Sequence, residues 1–155
     1  MHKQTGFTIV ELLVVIAIIA ILTTMATVSY NSTKVKARDA QRVSDVGRIM
    51  SALESYYNKN NTYPLTAAVV AGGVISDAST VYMTVVPTNP SPKTDGACPG
   101  TAGYDYLYSQ DNGGASYHLV FCLGRDSDPY KAGPNVATPK YVTSTSALPV
   151  EFIRL

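Results

Sequence analysis

The sequence predicts an α+β protein in which one long N-terminal α-helix packs on a small antiparallel β-sheet. Two observations lead to this fold class. All nine prolines come after residue 63, so the first 63 residues can form one continuous helix. Farther along, residues 104–108 and 117–123 alternate in polarity and flank an Asp-Asn-Gly-Gly turn, which is the pattern of an antiparallel hairpin. A helix followed by a hairpin predicts a sheet that covers one face of the helix.

Residues 12–33 form an uncharged, mostly apolar segment that is long enough to span a membrane as one helix. Lys3 precedes this segment, and Glu11 places a single carboxylate at its head. A cleaved secretory signal peptide is disfavoured, because the apolar segment exceeds the usual limit of about 15 residues and no Ala-x-Ala site follows. An ordinary single-span anchor fits the length, but it leaves Glu11 without a purpose although a carboxylate inside a membrane is costly.

Residues 3–13, which read KQTGFTIVELL, resemble the processing signal of type IV pilins and of the pseudopilins of type II secretion. The resemblance implies a pilin fold, cleavage between Gly6 and Phe7 by a prepilin peptidase, and N-methylation of Phe7. It also implies a cytoplasmic leader, although the basic residues after the apolar segment favour the opposite topology by the positive-inside rule. Many members of this family carry a proline near the position of Val28, and this chain does not.

The same resemblance implies that Glu11 takes part in filament assembly. The Glu11 carboxylate of one subunit would meet the α-amine of Phe7 in the next, because a buried carboxylate and a buried amine each need an opposite charge. The alternative is that Glu11 neutralises the Phe7 amine of its own chain, one helical turn away. Both arrangements can hold at different stages.

The helix is predicted to continue through residues 34–62 as an amphipathic half. Its apolar residues recur at spacings of three and four, at Val43, Val46, Met50, Leu53 and Tyr57. The charged residues are expected on the other faces, and a solvated face is the default interpretation for Lys34, Lys36, Arg38, Arg42 and Arg48. The predicted organisation is a cleaved leader at residues 1–6, a transmembrane and filament-core helix at 7–33, the amphipathic half at 34–62 and a globular head at 63–155.

The head is predicted to contain further short elements around the hairpin. Residues 65–71 favour a short helix that ends at two glycines, and residues 81–86 favour a strand that ends at a proline. A last strand is expected near residues 141–143 or 150–155. The turns of this half and its tyrosine-rich hairpin also resemble the C-terminal half of pilins close to the major pseudopilin of type II secretion.

Cys98 and Cys122 are the only cysteines of the chain. The membrane segment implies that the head is exported, and in an oxidising compartment two cysteines favour a disulfide over two separate buried thiols. In the chain-entropy model, such a bridge stabilises the fold by about 3 kcal/mol.

No combination of residues in the sequence indicates catalysis, so an enzyme is not expected. His118 is the only histidine left after removal of the leader, and it is expected to be a packed strand residue rather than a general base. Asp126 and Asp128, with Asp111 and Asn112 on the nearby turn, are candidate oxygen ligands for calcium, which major pseudopilins of type II secretion bind in a C-terminal loop. Asp and Asn are also ordinary turn residues, and no other cofactor is expected.

The leading functional prediction is a structural subunit, a major pilin that forms a helical homopolymer at the cell surface. The sequence leaves open whether this filament serves adhesion, twitching motility, DNA uptake or secretion. Its expected partners are further copies of itself, the prepilin peptidase, an inner-membrane assembly platform and, before assembly, the membrane. The net charge of +1 gives no general attraction to nucleic acid, so no specific nucleic-acid ligand is expected. The alternative is a pseudopilin of a type II secretion or DNA-uptake system. A different class is an anchored surface-binding domain that never polymerises and has no need of Glu11.

Overall fold

The computed structural model describes residues 6–95, 98, 105–140 and 142–144, with backbone alone for residues 25–29 and 142–144. The chain divides into two compact units, residues 1–34 and residues 35–155. The predicted fold class, an N-terminal helix with small antiparallel sheets, is confirmed.

Helix α1 spans Ile9–Asn60, 52 residues without a break. It ends where the sequence predicts, just before Tyr63 and Pro64. The first residue after it, Asn61, has a positive φ of 54°, and its N–H donates to the carbonyl of Tyr57 at 2.8 Å. Asparagine tolerates this left-handed conformation, which closes the last turn of a helix.

Between Ile9 and Leu22, α1 exposes its apolar side chains on every side. This surface includes Leu12, Leu13, Ile16, Ile18, Ile19, Ile21 and Leu22. Within the described part of the chain, no helix meets the combined requirement of length and hydropathy for crossing a membrane. The predicted membrane segment at 12–33 includes residues 25–29, whose side chains lie outside that part.

The second unit contains two antiparallel sheets. Strands β1 (Ile75–Ser76) and β2 (Val81–Met83) form a small two-stranded sheet. A four-stranded sheet has the order β3-β4-β5-β6, from β3 (Leu107–Asp111), β4 (Ser116–Leu123), β5 (Gly133–Ala137) and β6 (Val142–Ser144). Each strand of the larger sheet follows its neighbour in the chain, so the sheet is a simple meander.

Several predicted element boundaries were wrong. The first hairpin strand begins at Leu107 instead of 104, since its partner Ser116–Leu123 pairs only from that residue to Asp111. The predicted helix at 65–71 is a single 3-10 turn at Thr66–Ala68, and the strand at 81–86 is confined to Val81–Met83. A strand at Val142–Ser144 matches the first suggested position of the last strand, whereas the second, 150–155, lies outside the described residues.

The hydrophobic core of the second unit lies between α1 and the four-stranded sheet. Val46, Ile49 and Leu53 of the helix are buried, as are the sheet residues Tyr117 and Leu119. The remaining residues of the predicted stripe, Val43, Met50 and Tyr57, are partly buried against the same core. The interface therefore follows the helical period of the sequence, because burial of apolar surface is the main favourable term in folding.

The C-terminal end of α1 is joined to the small sheet through Asp77. The Asp77 carboxylate accepts hydrogen bonds from the backbone N–H groups of Ser79 and Thr80, both at 2.7 Å, and from the hydroxyl of Tyr82 at 2.6 Å. Its Oδ2 also lies 3.1 Å from Nζ of Lys59 in the last turn of the helix. We call these five residues the Asp77 cluster.

Candidate functional site

The N-terminal end of α1 is closed by a capping box formed by Thr8 and Glu11. Oε2 of Glu11 accepts hydrogen bonds from the backbone N–H of Thr8 at 2.9 Å and from its hydroxyl at 2.8 Å. In return, the Thr8 hydroxyl accepts the N–H of Glu11 at 3.2 Å. Thr or Ser before a helix and Glu three positions later satisfy each other's free backbone donors in this way.

Sequence analysis assigned Glu11 a charge-pairing role and missed its second role as a cap. The signal was present, since Thr-x-x-Glu before an apolar run is the sequence pattern of a capping box. In the uncleaved chain, Thr8 and not Phe7 holds the Glu11 carboxylate. Pairing of Glu11 with a Phe7 amine stays a prediction, because that amine exists only after cleavage.

The Gly6–Phe7 peptide bond lies in non-helical backbone before α1 begins at Ile9. Both residues are exposed, and the Phe7 side chain is 86% accessible. A peptidase needs an accessible stretch of chain outside regular structure. The predicted cleavage site has this accessibility, while cleavage and methylation themselves stay predictions.

The apolar surface of α1 from Ile9 to Leu22 is the largest group of exposed hydrophobic side chains among the described residues. A helix that is apolar all round is stable only when lipid or other apolar surfaces cover it. Exposed apolar areas of this extent mark interaction or membrane surfaces. The first unit therefore presents a surface for lipid, for other helices, or for each in turn.

The second unit contains a buried group of charges that the sequence analysis placed in solvent. Arg42 is fully buried, and Asp39 and Asp95 are nearly so. The guanidinium of Arg42 donates to Oδ1 of Asp39 at 2.7 Å and to Oδ2 of Asp95 at 3.1 Å. It also donates to Oδ1 of Asn89 at 2.8 Å. With Arg38, we call these residues the charge cluster.

The prediction of a solvated face is thus wrong for Arg42 and for much of Arg38. Arg38 donates to both carboxylate oxygens of Asp95, and its side chain is only 20% exposed. Two segments of the head cover this face of α1 and bring acceptors and donors to it: residues 89–95, and the turn at Gly124 and Arg125. The prediction holds for Arg48, whose side chain is 61% exposed.

Asp39 and Asp95 both accept hydrogen bonds from the buried Arg42. The backbone N–H groups of Gly124 and Arg125 donate to Asp39 at 2.9 and 3.0 Å. Burial acts to raise the pKa of Asp95, but hydrogen bonds and charges from Arg38 and Arg42 outweigh burial, and the pKa lies below its ordinary value. A buried ion pair needs such additional hydrogen bonds to offset the loss of hydration.

Cys98 and Cys122 are joined by a disulfide, with their Cα atoms 5.8 Å apart. Both residues are buried. Cys122 lies near the end of β4, opposite Pro134 of β5, and the backbone N–H of Cys98 donates to the carbonyl of Asp95 at 2.9 Å. The bridge therefore attaches the segment that carries Asp95 to an inner strand of the sheet.

The calcium candidates of the first loop, Asp111 and Asn112, make their contacts with neighbouring residues. Asp111 caps the turn by accepting the N–H of Asn112 at 2.7 Å, and its Oδ2 lies 3.8 Å from Nδ1 of His118. His118 is a partly exposed residue of β4. These contacts are typical of turn and strand residues and require no ion.

The candidates of the second loop are Asp126 and Asp128. Asp126 accepts the N–H of Ala132 at 2.8 Å and lies 3.8 Å from Nζ of Lys131. Among the residues that the structure describes, no group of three or more His, Cys, Asp or Glu side chains could hold a metal ion. The acidic side chains of the two loops thus do not form a carboxylate site together, and calcium binding stays a prediction without support from their contacts.

A helix that is apolar where it is exposed and amphipathic where it carries a sheet is the architecture of pilins and pseudopilins. Residues 1–27 match the prokaryotic N-terminal methylation motif. Core protein G of the type II secretion system of Vibrio cholerae is 32% identical over 135 residues, which cover 81% of this chain and 84% of the relative.

The protein of the same name from Pectobacterium carotovorum is 30% identical over 138 residues, covering 83% of this chain and 80% of the relative. That of Escherichia coli is 39% identical over 64 residues, covering 41% of this chain and 44% of the relative. No solved structure matches the chain significantly. The chain belongs to the family of type II secretion system core protein G.

These relatives reverse the order of the two functional predictions within the pilin class. Sequence analysis put a type IV pilus at the cell surface first and a secretion pseudopilin second. The relatives favour the second, and neither a surface location nor a role in adhesion or twitching gains support from them.

Proposed function

We propose that this chain is a pseudopilin, a structural and non-enzymatic subunit of a helical homopolymer that serves type II secretion. The precursor is anchored in the cytoplasmic membrane, and the polymer forms in the periplasm on an inner-membrane assembly platform. The observation that carries the proposal is the apolar surface of α1 from Ile9 to Leu22, headed by Glu11, which is exposed among the residues that the structure describes.

Processing comes first in the proposed sequence of events. The prepilin peptidase cleaves between Gly6 and Phe7, which removes Lys3 with the leader and leaves a new α-amine on Phe7. The ordinary pKa of such an amine is about 8, so it is mostly cationic at neutral pH even before methylation. The peptidase therefore creates a positive charge four residues before Glu11.

Assembly then exchanges lipid for other helices around the first half of α1. The apolar helices of neighbouring subunits pack against one another, and each helix keeps an apolar environment throughout. Within this environment, Glu11 of one subunit pairs with the Phe7 amine of the next and sets the register. The capping box supports this role, since both hydrogen bonds from Thr8 go to Oε2 and direct the carboxylate toward the N-terminal end of the helix.

Two substitutions of Glu11 separate charge pairing from helix capping. Glu11→Gln removes the charge but keeps an oxygen that can complete the capping box, whereas Glu11→Val removes both. If charge pairing drives assembly, both variants insert into the membrane and neither forms polymers. If capping is what matters, Glu11→Gln assembles like the wild type. Normal polymers from both variants would refute any role of Glu11.

Cells that produce the wild-type chain test its processing and its location. Intact mass and N-terminal sequencing of the assembled material should give a chain that begins at methylated Phe7. Chemical cross-linking should capture ladders of this subunit in the periplasmic fraction, and deletion of its gene should block export of secreted enzymes. Filaments found on the cell surface with unaffected secretion would instead support a type IV pilus. A chain that is never cleaved and never cross-links to itself would support the anchored binding domain.

A further inference from the structure

Arg42 is a fully buried cation that the helix alone cannot satisfy. Its own helix supplies only Asp39, while Asn89, the carbonyl of Pro92 and Asp95 come from the segment at residues 89–95. An arginine left buried without its partners is strongly destabilising. The burial of Arg42 therefore depends on keeping this irregular segment in place.

Each cysteine of the disulfide lies close in sequence to a residue that belongs to the charge cluster or binds it. On one side, Cys98 follows Asp95 by three positions and donates its N–H to the Asp95 carbonyl at 2.9 Å. On the other side, Cys122 precedes Gly124, whose N–H donates to Asp39. A Cβ at Gly124 would lie 2.9 Å from that of Asp95, so Asp95 packs directly on this glycine. The bridge joins the two segments that together enclose Arg42.

We propose that the Cys98–Cys122 disulfide is a redox lock on the charge cluster, so that the segment at residues 89–95 packs stably on α1 only after oxidation. Without the bridge, the segment at 89–95 can leave the helix, and Asp95 then no longer compensates Arg42. Oxidation closes the lock: the two thiols lose two electrons and two protons to a disulfide-bearing oxidant, which is released as a dithiol. An exported chain meets such an oxidant only after translocation.

The consequence for assembly rests on the proposed function, whereas the lock itself does not. If the segment at 89–95 is fixed only after oxidation, subunits that are still reduced stay at the membrane with this segment detached from α1. Oxidation would then act as a checkpoint before polymerisation. Measurements of head stability test the lock without any polymer, so failure of the lock and failure of the proposed function are distinguishable.

The test compares the effect of Asp95→Asn with and without the bridge. Full-length chain is purified in detergent micelles in three forms: oxidised, reduced by unfolding and refolding with dithiothreitol, and as the Cys98→Ala/Cys122→Ala variant. Urea unfolding of the head is followed by the near-ultraviolet circular dichroism of its tyrosines. Asp77→Asn is the matched control, because the Asp77 cluster also fixes a head segment to α1 but lies on elements without a cysteine.

In the oxidised chain, Asp95→Asn is expected to raise the unfolding equilibrium constant about tenfold or more, since hydrogen bonds to charged groups are lost. In both forms without the bridge, the same substitution should change the constant by less than about threefold, because Asp95 has already left Arg42. Asp77→Asn should have the same effect in all three forms. An equal effect of Asp95→Asn with and without the bridge would overturn the lock.

A milder substitution covers the case in which Asp95→Asn does not fold. Arg38→Gln removes the other cationic partner of Asp95 from a partly exposed position, so the head should still fold. Its effect should also disappear when the bridge is absent. If Arg38→Gln destabilises the bridged and unbridged chains equally, the segment holds its position without the disulfide and the proposal is wrong.

Discussion

Replacing Arg42 by methionine measures how much the charge cluster contributes to the stability of the head. Breaking a buried ion pair costs about 3–5 kcal/mol, because the partner charge stays buried without compensation. Here Asp39 keeps two backbone N–H donors and Asp95 keeps Arg38. We therefore expect the lower end of that range, about 3 kcal/mol for Arg42→Met. For a chain of this size, that corresponds to a fall in Tm of about 6–12 °C.

The matched control is Arg48→Met, the same change six residues farther along α1. Arg48 is 61% exposed and lies 3.8 Å from Asp45, and an exposed pair of this kind contributes less than about 1 kcal/mol. Arg42→Lys adds a third point, since lysine keeps the charge but cannot match the several acceptors that the planar guanidinium contacts. Its stability should lie between those of the wild type and Arg42→Met.

The assay is thermal and urea unfolding of the full-length oxidised chain in detergent micelles, followed by tyrosine circular dichroism. The chain has eleven tyrosines and no tryptophan, so this signal reports mainly on the head. Equal and small effects of Arg42→Met and Arg48→Met would refute the reasoning, because they would mean that the charge cluster is no more important than a surface ion pair.

Three further predictions concern stability at acid pH, stability at alkaline pH and the comparison of two glycine substitutions. Because the pKa of Asp95 is lowered in the fold, its contribution to stability is complete above the ordinary value of 3.8 and is lost as pH falls through the lowered value. Urea unfolding at falling pH should therefore show a loss of stability that is smaller in Asp95→Asn, although that variant is less stable at neutral pH. Burial, and then a nearby carboxylate, raise the pKa of Tyr106 above its ordinary value of 10.0, so stability should fall as pH rises beyond 10, with tyrosinate absorbance appearing together with unfolding. Gly114→Ala should destabilise the head by about 1–3 kcal/mol in urea unfolding, because overpacking costs that much and a Cβ there would lie 1.9 Å from the hydroxyl of Thr62 at a φ of +95°. Gly47→Ala, on an open helix face, should stabilise the head by about 1 kcal/mol. Stability changes of the same sign for both substitutions would contradict this prediction.

The parts of the fold that sequence analysis predicted are those with a regular apolar period. Val46 and Leu53 recur with the spacing of a helix and are buried, and Leu119 and Phe121 alternate along β4 and point into the same core. Such patterns can be recognised in a sequence because the apolar residues that an element buries recur with the period of that element. Strand β5, Gly133–Ala137, was missed because it begins with glycine and proline, which normally indicate a turn.

The charge cluster was missed for a different physical reason. Helical spacing places Arg42 on the same face as Val46 and Ile49, but an arginine is normally expected in solvent wherever it lies on a helix. What buries Arg42 is the segment at 89–95, about fifty positions farther along the chain. A buried charge depends on partners that only the tertiary fold brings together, and charged residues are otherwise nearly always exposed.

The polar groups of the two units thus have different roles, and this difference can be measured. In the second unit, Arg42 and its partners stabilise a head that buries its own core. In the first, Glu11 is a charge at the head of an apolar surface that is exposed in the described part of the chain. Glu11→Gln should therefore leave the urea midpoint of the head unchanged while it abolishes polymers. Arg42→Met should lower that midpoint with the Glu11 capping box intact. A Glu11 variant that destabilised the head as much as Arg42→Met would show that assembly and head stability are one property, against the division of roles argued from these contacts.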